Sequence, residues 1–422
     1  MTASEQLAQF AAGSKALPKL CREYKKERAT VHLKELVGGA LSFYAAAAVA
    51  KTGGVHIFVA EDRDAAAYLL NDFYNLLDEK QVYFFPSSYK RSAAYGAEDA
   101  QGVVQRTTAM NAVRGFTKGY LVVCTYPEAL AERVVDAATL QRDTIAVKLG
   151  DKISIAVLED ALADANFTRV DFVYEPGQYS VRGGIVDVFS YSESKPYRID
   201  FFGDEVDSIR RFNISSQLSA DKLDRVEIVP NLNAGEAPRV SFVQFAGSSA
   251  TCWFYDADYV LRRVNDLRRK VLADMEEPGQ IDRLLTSRNV LLRDMAGNSV
   301  VALRDNLPER PATAAVVFDT APQPKFNKNF EMLADDMIRN SLRGYATYIL
   351  SENKVQVERL ENIFHQIGRG QAAVRSLSVT LHEGFVDNDL KLCLYTDHQI
   401  FDRYQRYRIN GEIRRDEQMT VA

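Results

Sequence analysis

A glycine pair, Gly38-Gly39, separates a predicted strand, VHLKELV (31–37), from a predicted helix over residues 41–51. In α/β proteins a phosphate group binds at this kind of strand-to-helix turn, because the backbone N–H groups at the helix start point toward it. A working phosphate loop has the pattern GxxxxGK[ST]: the lysine reaches the β- and γ-phosphates, and the hydroxyl binds magnesium. The glycine pair therefore raises the question of a nucleotide site.

The residues that such a site needs are missing. With Ser42 at the hydroxyl position, Leu41 replaces the lysine, Ala40 replaces the second glycine and Glu35 replaces the first. Leucine cannot neutralise a triphosphate, and the carboxylate of Glu35 would repel it. We therefore expect a degenerate loop that forms a plain strand-to-helix turn and binds no nucleotide.

Other catalytic arrangements are also missing from the sequence. No histidine has a second histidine or a cysteine three or four positions away, no GxSxG motif occurs, and the four cysteines form no CxxC pair. The adjacent pairs His382-Glu383 and Asp397-His398 are possible acid–base groups, although surface polarity explains such pairs more often. We expect no catalytic residues and no metal site, and hence a chain that binds rather than reacts.

The 422 residues carry 52 Lys+Arg and 57 Asp+Glu, a formal charge of -5. Any nucleic-acid contact must therefore be local. Two basic patches are candidates: the residues Arg262, Arg263, Arg268, Arg269 and Lys270, and the stretch Arg403 to Arg415. An ordinary solvated helix face explains them better. The longest apolar stretch, Leu36 to Ala50, is too short to span a bilayer. Together with the scattered cysteines, this predicts a cytoplasmic, multidomain protein without a membrane contact.

The expected fold is α/β in three parts. Residues 1–144 alternate apolar strands with helices, which is typical of a parallel sheet covered by helices. Residues 145–230 place strands in close succession after one helix, Ser154 to Ala165, and such short turns require antiparallel neighbours. Residues 231–405 are mixed α/β, with VSFVQFA among the predicted strands, and residues 406–422 form a tail or linker.

Strand 197–202 in the second part has two different faces. Side chains alternate along a strand, so Tyr197, Ile199 and Phe201 form one face. Arg198, Asp200 and Phe202 form the other, and Arg182 ends the preceding hairpin strand close to it. An exposed aromatic residue among arginines is typical of a protein-binding surface. The alternative is that the helix Ser154 to Ala165 covers Phe202 and that the arginines form surface salt bridges.

Three long motifs resemble the UvrB-homology region of the bacterial transcription-repair coupling factors (Mfd). They are EPGQYSVRGGIVDVF, YRIDFFGDEVDSIRRFN and LHEGFVDNDLKLCLYTDHQIF, and the resemblance covers about residues 30–405. UvrB itself is the nearest alternative family. UvrB has an intact phosphate loop and an aromatic strand-separating hairpin, whereas this chain has the degenerate loop and only a short segment, Ser87–Asp99.

The resemblance implies a UvrB-like, P-loop-NTPase-like fold in which residues 231–405 pack with residues 1–144 and complete the module. It also implies a non-catalytic role, the recruitment of the repair protein UvrA. Family residues of the UvrA-binding surface match Arg182, Arg198 and Phe202, with Asp200 as a polar companion. It also implies that truncation of Arg198 or Phe202 weakens UvrA binding with little effect on melting temperature.

For the whole family protein, the resemblance implies an ATP-driven DNA translocase that uses ATP and magnesium in a motor absent from this chain. That protein displaces stalled RNA polymerase from double-stranded DNA, and its C-terminal part masks the UvrA-binding surface. The chain stops near Thr420, so we expect an N-terminal fragment that needs no cofactor. The alternative is a UvrB-like or helicase-like nucleotide-dependent repair enzyme.

Overall fold

The computed structural model describes residues 1–89, 99–232, 237–275, 277–405 and 407–409. The strands, in chain order, are β1 Thr30–Lys34, β2 Gly54–Val59, β3 Val82–Phe84, β4 Tyr120–Thr125, β5 Val134–Val135, β6 Ile145–Lys148, β7 Thr168–Arg169, β8 Gln178–Arg182, β9 Ile185–Val188, β10 Tyr197–Phe202, β11 Glu205–Phe212, β12 Ser219–Leu223, β13 Arg225–Ile228, β14 Arg239–Val240, β15 Thr251–Phe254, β16 Ser299–Ala302, β17 Ala314–Val317, β18 Thr320–Pro322, β19 Ala346–Leu350, β20 Ser376–Leu377, β21 Phe385–Asp387 and β22 Leu392–Thr396.

The α-helices are α1 Ala3–Ala12, α2 Ala16–Tyr24, α3 Ala40–Thr52, α4 Arg63–Leu76, α5 Ala100–Arg114, α6 Pro127–Ala131, α7 Ala137–Asp143, α8 Ile155–Asp164, α9 Phe242–Ala246, α10 Ala257–Asp274, α11 Ile281–Leu284, α12 Arg288–Asp294, α13 Phe330–Leu342, α14 Lys354–Gln366 and α15 Asp397–Ile400. None of these helices, within the described ranges, combines the length and the apolar character needed to cross a membrane.

The largest sheet is parallel, as the apolar strands of the first part predict. Its seven strands are ordered β17-β1-β16-β15-β2-β4-β3 and pair in parallel throughout. Four strands precede residue 144 and three follow residue 231, so the first and third parts of the chain build one sheet. Both of its faces are covered, which is why its strands are almost entirely apolar.

A six-stranded sheet, ordered β12-β11-β10-β9-β8-β7, fills the second part of the chain. The strands from β8 to β12 pair antiparallel, as predicted, and the two-residue strand β7 pairs parallel with β8. Leu158 and Leu162 of α8 belong to the same buried cluster as Tyr179, Val186 and Ile199. Helix α8 therefore covers one face of this sheet, which we call the inner face.

A five-stranded mixed sheet, ordered β18-β21-β22-β19-β20, lies near the end of the described chain and packs with α13 and α14 around its own core. The α/β fold class is confirmed, but the strand predicted for VSFVQFA is wrong. Only Arg239–Val240 is extended there. Ser241 then accepts a hydrogen bond from the backbone N–H of Gln244 and starts α9, because a capping serine ends the strand.

Two predictions fall largely outside the described residues. Residues 90–98 make up most of the segment between Ser87 and Asp99, and residues 406 and 410–422 make up most of the proposed tail. The described residues before and after position 406 lie against α4, where Arg408 and Asn71 exchange backbone-to-side-chain hydrogen bonds.

Candidate protein-interaction site

The glycine pair of the degenerate phosphate loop packs against a distant part of the chain. Helix α3 starts at Ala40, directly after the glycine pair, as a phosphate loop would require. A Cβ atom placed on Gly39, however, would lie 2.1 Å from the carbonyl oxygen of Glu383, and one on Gly38 would lie 3.1 Å from that of Gly384. The backbone of residues 383–384 thus packs directly against the glycine pair.

Ser42, at the hydroxyl position of the loop, has a buried protein partner. Its hydroxyl donates to the Oδ2 atom of Asp72 over 2.6 Å, and both residues are fully buried. His382 donates to the same carboxylate from its backbone N–H, over 2.7 Å, and through Nδ1, over 2.6 Å. Ser42 therefore helps, through Asp72, to hold the segment 382–384 next to the loop.

The Ser42, Asp72 and His382 cluster is unsuited to nucleophilic catalysis. Both Ser42 and His382 donate to Asp72, so the imidazole does not stand between the hydroxyl and the carboxylate as a triad requires. Burial opposes protonation of His382, but the charge and hydrogen bond of Asp72 outweigh it and raise the pKa of His382 to about 9. A protonated imidazole cannot accept a proton from Ser42.

The remaining loop residues occupy ordinary positions. Ala40 is fully buried, Leu41 packs partly against the main core, and the exposed Glu35 has φ 58°. The hydroxyl of Thr320 in β18 donates to the carbonyl oxygen of Glu35. These contacts tie the loop to the five-stranded sheet.

The basic stretch in α10 is largely neutralised by ion pairs. Arg262 pairs with Asp258, Arg263 with Glu128, Arg268 with Asp282 and Arg269 with Asp266. The structure thus favours the solvated, ion-paired interpretation of this helix over a nucleic-acid contact.

The alternation predicted for strand β10 is confirmed. Tyr197 and Ile199 are buried against α8 on the inner face, whereas Phe202, on the opposite outer face, is 83% exposed. The alternative in which α8 covers Phe202 is wrong, because α8 packs on the other side of the sheet. An irregularity in register between Asp200 and Phe201 does not disturb this alternation in β10.

A buried carboxylate organises the two arginines of the outer face. Asp187 of β9 lies directly across from Arg198 and is only 2% exposed. Arg198 donates to both of its oxygens, from Nε over 2.7 Å and from Nη2 over 2.9 Å, and Arg182 donates from Nη2 over 2.6 Å. These hydrogen bonds raise the pKa of Arg198 above its usual value despite partial burial.

The two arginines differ in how much they offer a partner. The side chain of Arg198 is 14% exposed, its Nη1 and Nη2 atoms also donate to Gln217, and its guanidinium lies 4.4 Å from the ring centre of the buried Phe212. The side chain of Arg182 is 37% exposed, and within the described residues its Nε and Nη1 have no acceptor. Arg182 and Phe202 are therefore the accessible groups, and Arg198 is mostly committed to the fold.

Asp200 lies on the same face but is also paired. Its carboxylate accepts hydrogen bonds from Ser208 and Arg210 of the neighbouring strand β11. Asp187, Gln217 and Phe212, which contact these side chains, were not predicted from the sequence. Asp187 has apolar residues on both sides in the sequence GGIVDV. This position could have indicated a buried charge that needs a partner.

Together, the antiparallel sheet and its covering helix form a small domain whose outer face is a candidate protein-interaction surface. The family model for the UvrB interaction domain matches residues 145–233, which contain this whole sheet. This part of the chain is therefore similar to the UvrB interaction domain.

The relatives extend this similarity beyond that domain. The chain is 27% identical to the transcription-repair-coupling factors of Bacillus subtilis and of Escherichia coli over 199 residues, which is 47% of this chain and 17% of each relative. It is 35% identical to the factor of Haemophilus influenzae over 101 residues, 24% of this chain and 9% of that protein. The resemblance found in the sequence is confirmed: the chain contains a module related to transcription-repair coupling factors, and the aligned part spans less than a fifth of their length.

Proposed function

We propose that this chain is a non-catalytic docking module that recruits UvrA through the outer face of the six-stranded sheet. The observation that supports this most directly is Phe202, an aromatic residue left 83% exposed at a hairpin end. Burying a phenylalanine in a partner contributes substantial desolvation energy, so an exposed one beside an oriented arginine is a suitable anchor.

Each residue has a distinct task in this proposal. Phe202 enters an apolar pocket of UvrA, and Arg182 donates charge-assisted hydrogen bonds to a carboxylate beside that pocket. Asp187 and Arg198 hold Arg182 and the strands in place. Asp200, which is paired with Arg210, contributes to the polar surroundings of Phe202.

Calorimetric titration of the full chain with purified UvrA tests the proposal. We expect Phe202→Ala to weaken binding at least tenfold, since truncation of an anchor residue typically costs ~2 kcal/mol or more. Val157→Ala is the matched control, because Val157 is also exposed, at 55%, but lies on α8, which packs against the inner face. Equal affinity of both variants and the unaltered chain for UvrA would contradict the proposal.

We also propose that this chain catalyses no reaction, on the basis of the loop around Gly38-Gly39. The backbone of residues 383–384 packs against Gly38-Gly39, and the hydroxyl of Ser42 donates a hydrogen bond to Asp72. Both contacts argue against the alternative of a nucleotide-dependent repair enzyme. We therefore propose that this chain needs neither ATP nor magnesium.

We also propose that this chain is part of a longer protein, with the roles that the resemblance to transcription-repair coupling factors implies. A motor outside the aligned part would hydrolyse ATP with magnesium, move along double-stranded DNA and displace RNA polymerase in the cytoplasm. Its C-terminal part would mask the outer face until the motor engages. UvrA binding that is tighter for this chain than for the longer protein would support such masking.

A further inference from the structure

A second aromatic residue, Phe172, lies on the outer face next to Arg182. The guanidinium carbon of Arg182 is 4.8 Å from the centre of the Phe172 ring, a cation–π geometry. Even with this contact Phe172 remains 48% exposed. A large apolar residue that is half in water and covered on one side by a cation has surface left for another molecule.

The segment that carries Phe172 is fixed by hydrogen bonds. The buried hydroxyl of Ser180 donates to the carbonyl oxygen of Asp171 over 2.8 Å, and Oε1 of Gln178 accepts from the backbone N–H groups of Tyr174 and Glu175. Val173, next to Phe172, is buried. The ring is therefore held in position before any partner arrives, which lowers the entropy lost on binding.

The register of the sheet connects Arg182, which contacts Phe172, to the strand of Phe202 through a stripe of outer-face residues. Arg182 of β8 faces Ile185 of β9, and Ile185 faces Asp200 of β10, two residues before Phe202. Neighbouring strands are about 4.8 Å apart, so the stripe crosses three strands over a short distance. In order, the stripe contains Arg182, the half-buried Ile185 and Asp200. Phe172 lies beside Arg182 at one end, and Phe202 follows two residues after Asp200 at the other.

We propose that Phe172 is a second anchor for UvrA, which makes contact with both ends of this stripe. The inference rests on the proposed function, because it assigns a further contact to the same partner. This second anchor defines the chemistry of the UvrA surface: two apolar depressions separated by a carboxylate. That carboxylate meets the Nε and Nη1 atoms of Arg182, which have no acceptor in the part of the chain that the structure describes. Phe172 acts by direct contact and not merely by holding Arg182.

The test is a set of titrations of the full chain with UvrA. We expect Phe172→Ala to weaken binding at least fivefold. Phe202→Ala tests the proposed function in the same experiment, and Val157→Ala is the control variant that is expected to keep its affinity for UvrA. The effects of Phe172→Ala and Phe202→Ala multiply in the double variant, because the two side chains share no contact. Those of Phe172→Ala and Arg182→Ala do not multiply, because the two side chains touch.

A second measurement needs no substitution. Hydrogen exchange of the unaltered chain, with and without UvrA, is expected to show slower exchange over residues 170–175 in the complex. Weaker binding by Phe202→Ala, with unchanged affinity of Phe172→Ala and unchanged exchange over 170–175, would overturn the second anchor and leave the proposed function intact. A chain that does not bind UvrA at all would overturn both.

Discussion

Asp187 and Arg198 form a two-point ion pair on the outer face of the six-stranded sheet, with both carboxylate oxygens engaged by one guanidinium. Burial of Asp187 makes this pair part of the fold as well as of the proposed interface. A charge taken out of water without its partner is strongly unfavourable, whereas exposed ion pairs contribute little. The two arginines that share Asp187 should therefore respond differently to substitution.

Arg198→Ala is expected to lower the free energy of unfolding by about 2–3 kcal/mol, because it leaves Asp187 with one partner and uncovers Phe212. Arg182→Ala should lower it by about 1 kcal/mol or less, since Arg198 still satisfies both oxygens. Urea unfolding followed by circular dichroism measures both. This replaces the expectation, drawn from the family motif, that truncating Arg198 leaves the melting temperature nearly unchanged. Equal unfolding midpoints for the two variants would contradict the difference in role.

Restoring the phosphate-loop consensus should not restore nucleotide binding. The triple substitution Glu35→Gly, Ala40→Gly and Leu41→Lys supplies the pattern GxxxxGK[ST], yet the backbone of residues 383–384 still lies against the loop. We expect no rise in melting temperature on adding ATP and magnesium, which a ligand bound to the folded state would cause. A dose-dependent rise would mean that the loop is open to phosphate.

Gly39→Ala tests the close approach itself. Its Cβ atom would lie 2.1 Å from the Glu383 carbonyl oxygen, so the two segments must move apart. We expect a loss of about 1–3 kcal/mol in the free energy of unfolding, the usual cost of overpacking. Gly279→Ala is the matched control, because a Cβ at that position meets nothing within 4 Å. If urea unfolding gave the same midpoint for both variants, the proposed contact would be wrong.

The stability of the chain should depend on the protonation of His382. Its pKa in the folded chain is about 9, against an ordinary value of 6.5, so protonated His382 stabilises the fold. This contribution is fully present below pH 6.5 and is lost as the pH rises through about 9. We expect unfolding midpoints in urea to fall over this interval more for the unaltered chain than for His382→Gln. Parallel pH profiles would show that the ion pair with Asp72 contributes nothing.

The sequence predicted much of the fold because its signals are local. Continuous apolar strands required a parallel sheet buried on both faces, and short turns required antiparallel neighbours over residues 145–230. The strand for VSFVQFA was wrong because a single capping residue, Ser241, outweighed β-propensity. Alternation along β10 was sufficient to place Phe202 in solvent, because successive side chains of a strand point to opposite faces of the sheet.

What the sequence by itself determined is therefore the type of each element, the degeneracy of the phosphate loop and the exposure of Phe202. Only the tertiary structure decided which groups meet across the chain. It placed Asp187 under two arginines, Phe172 beside Arg182, and the backbone of Glu383 against Gly39, more than 300 residues earlier. Contacts of this kind depend on strand register and sheet packing, which local periodicity does not encode.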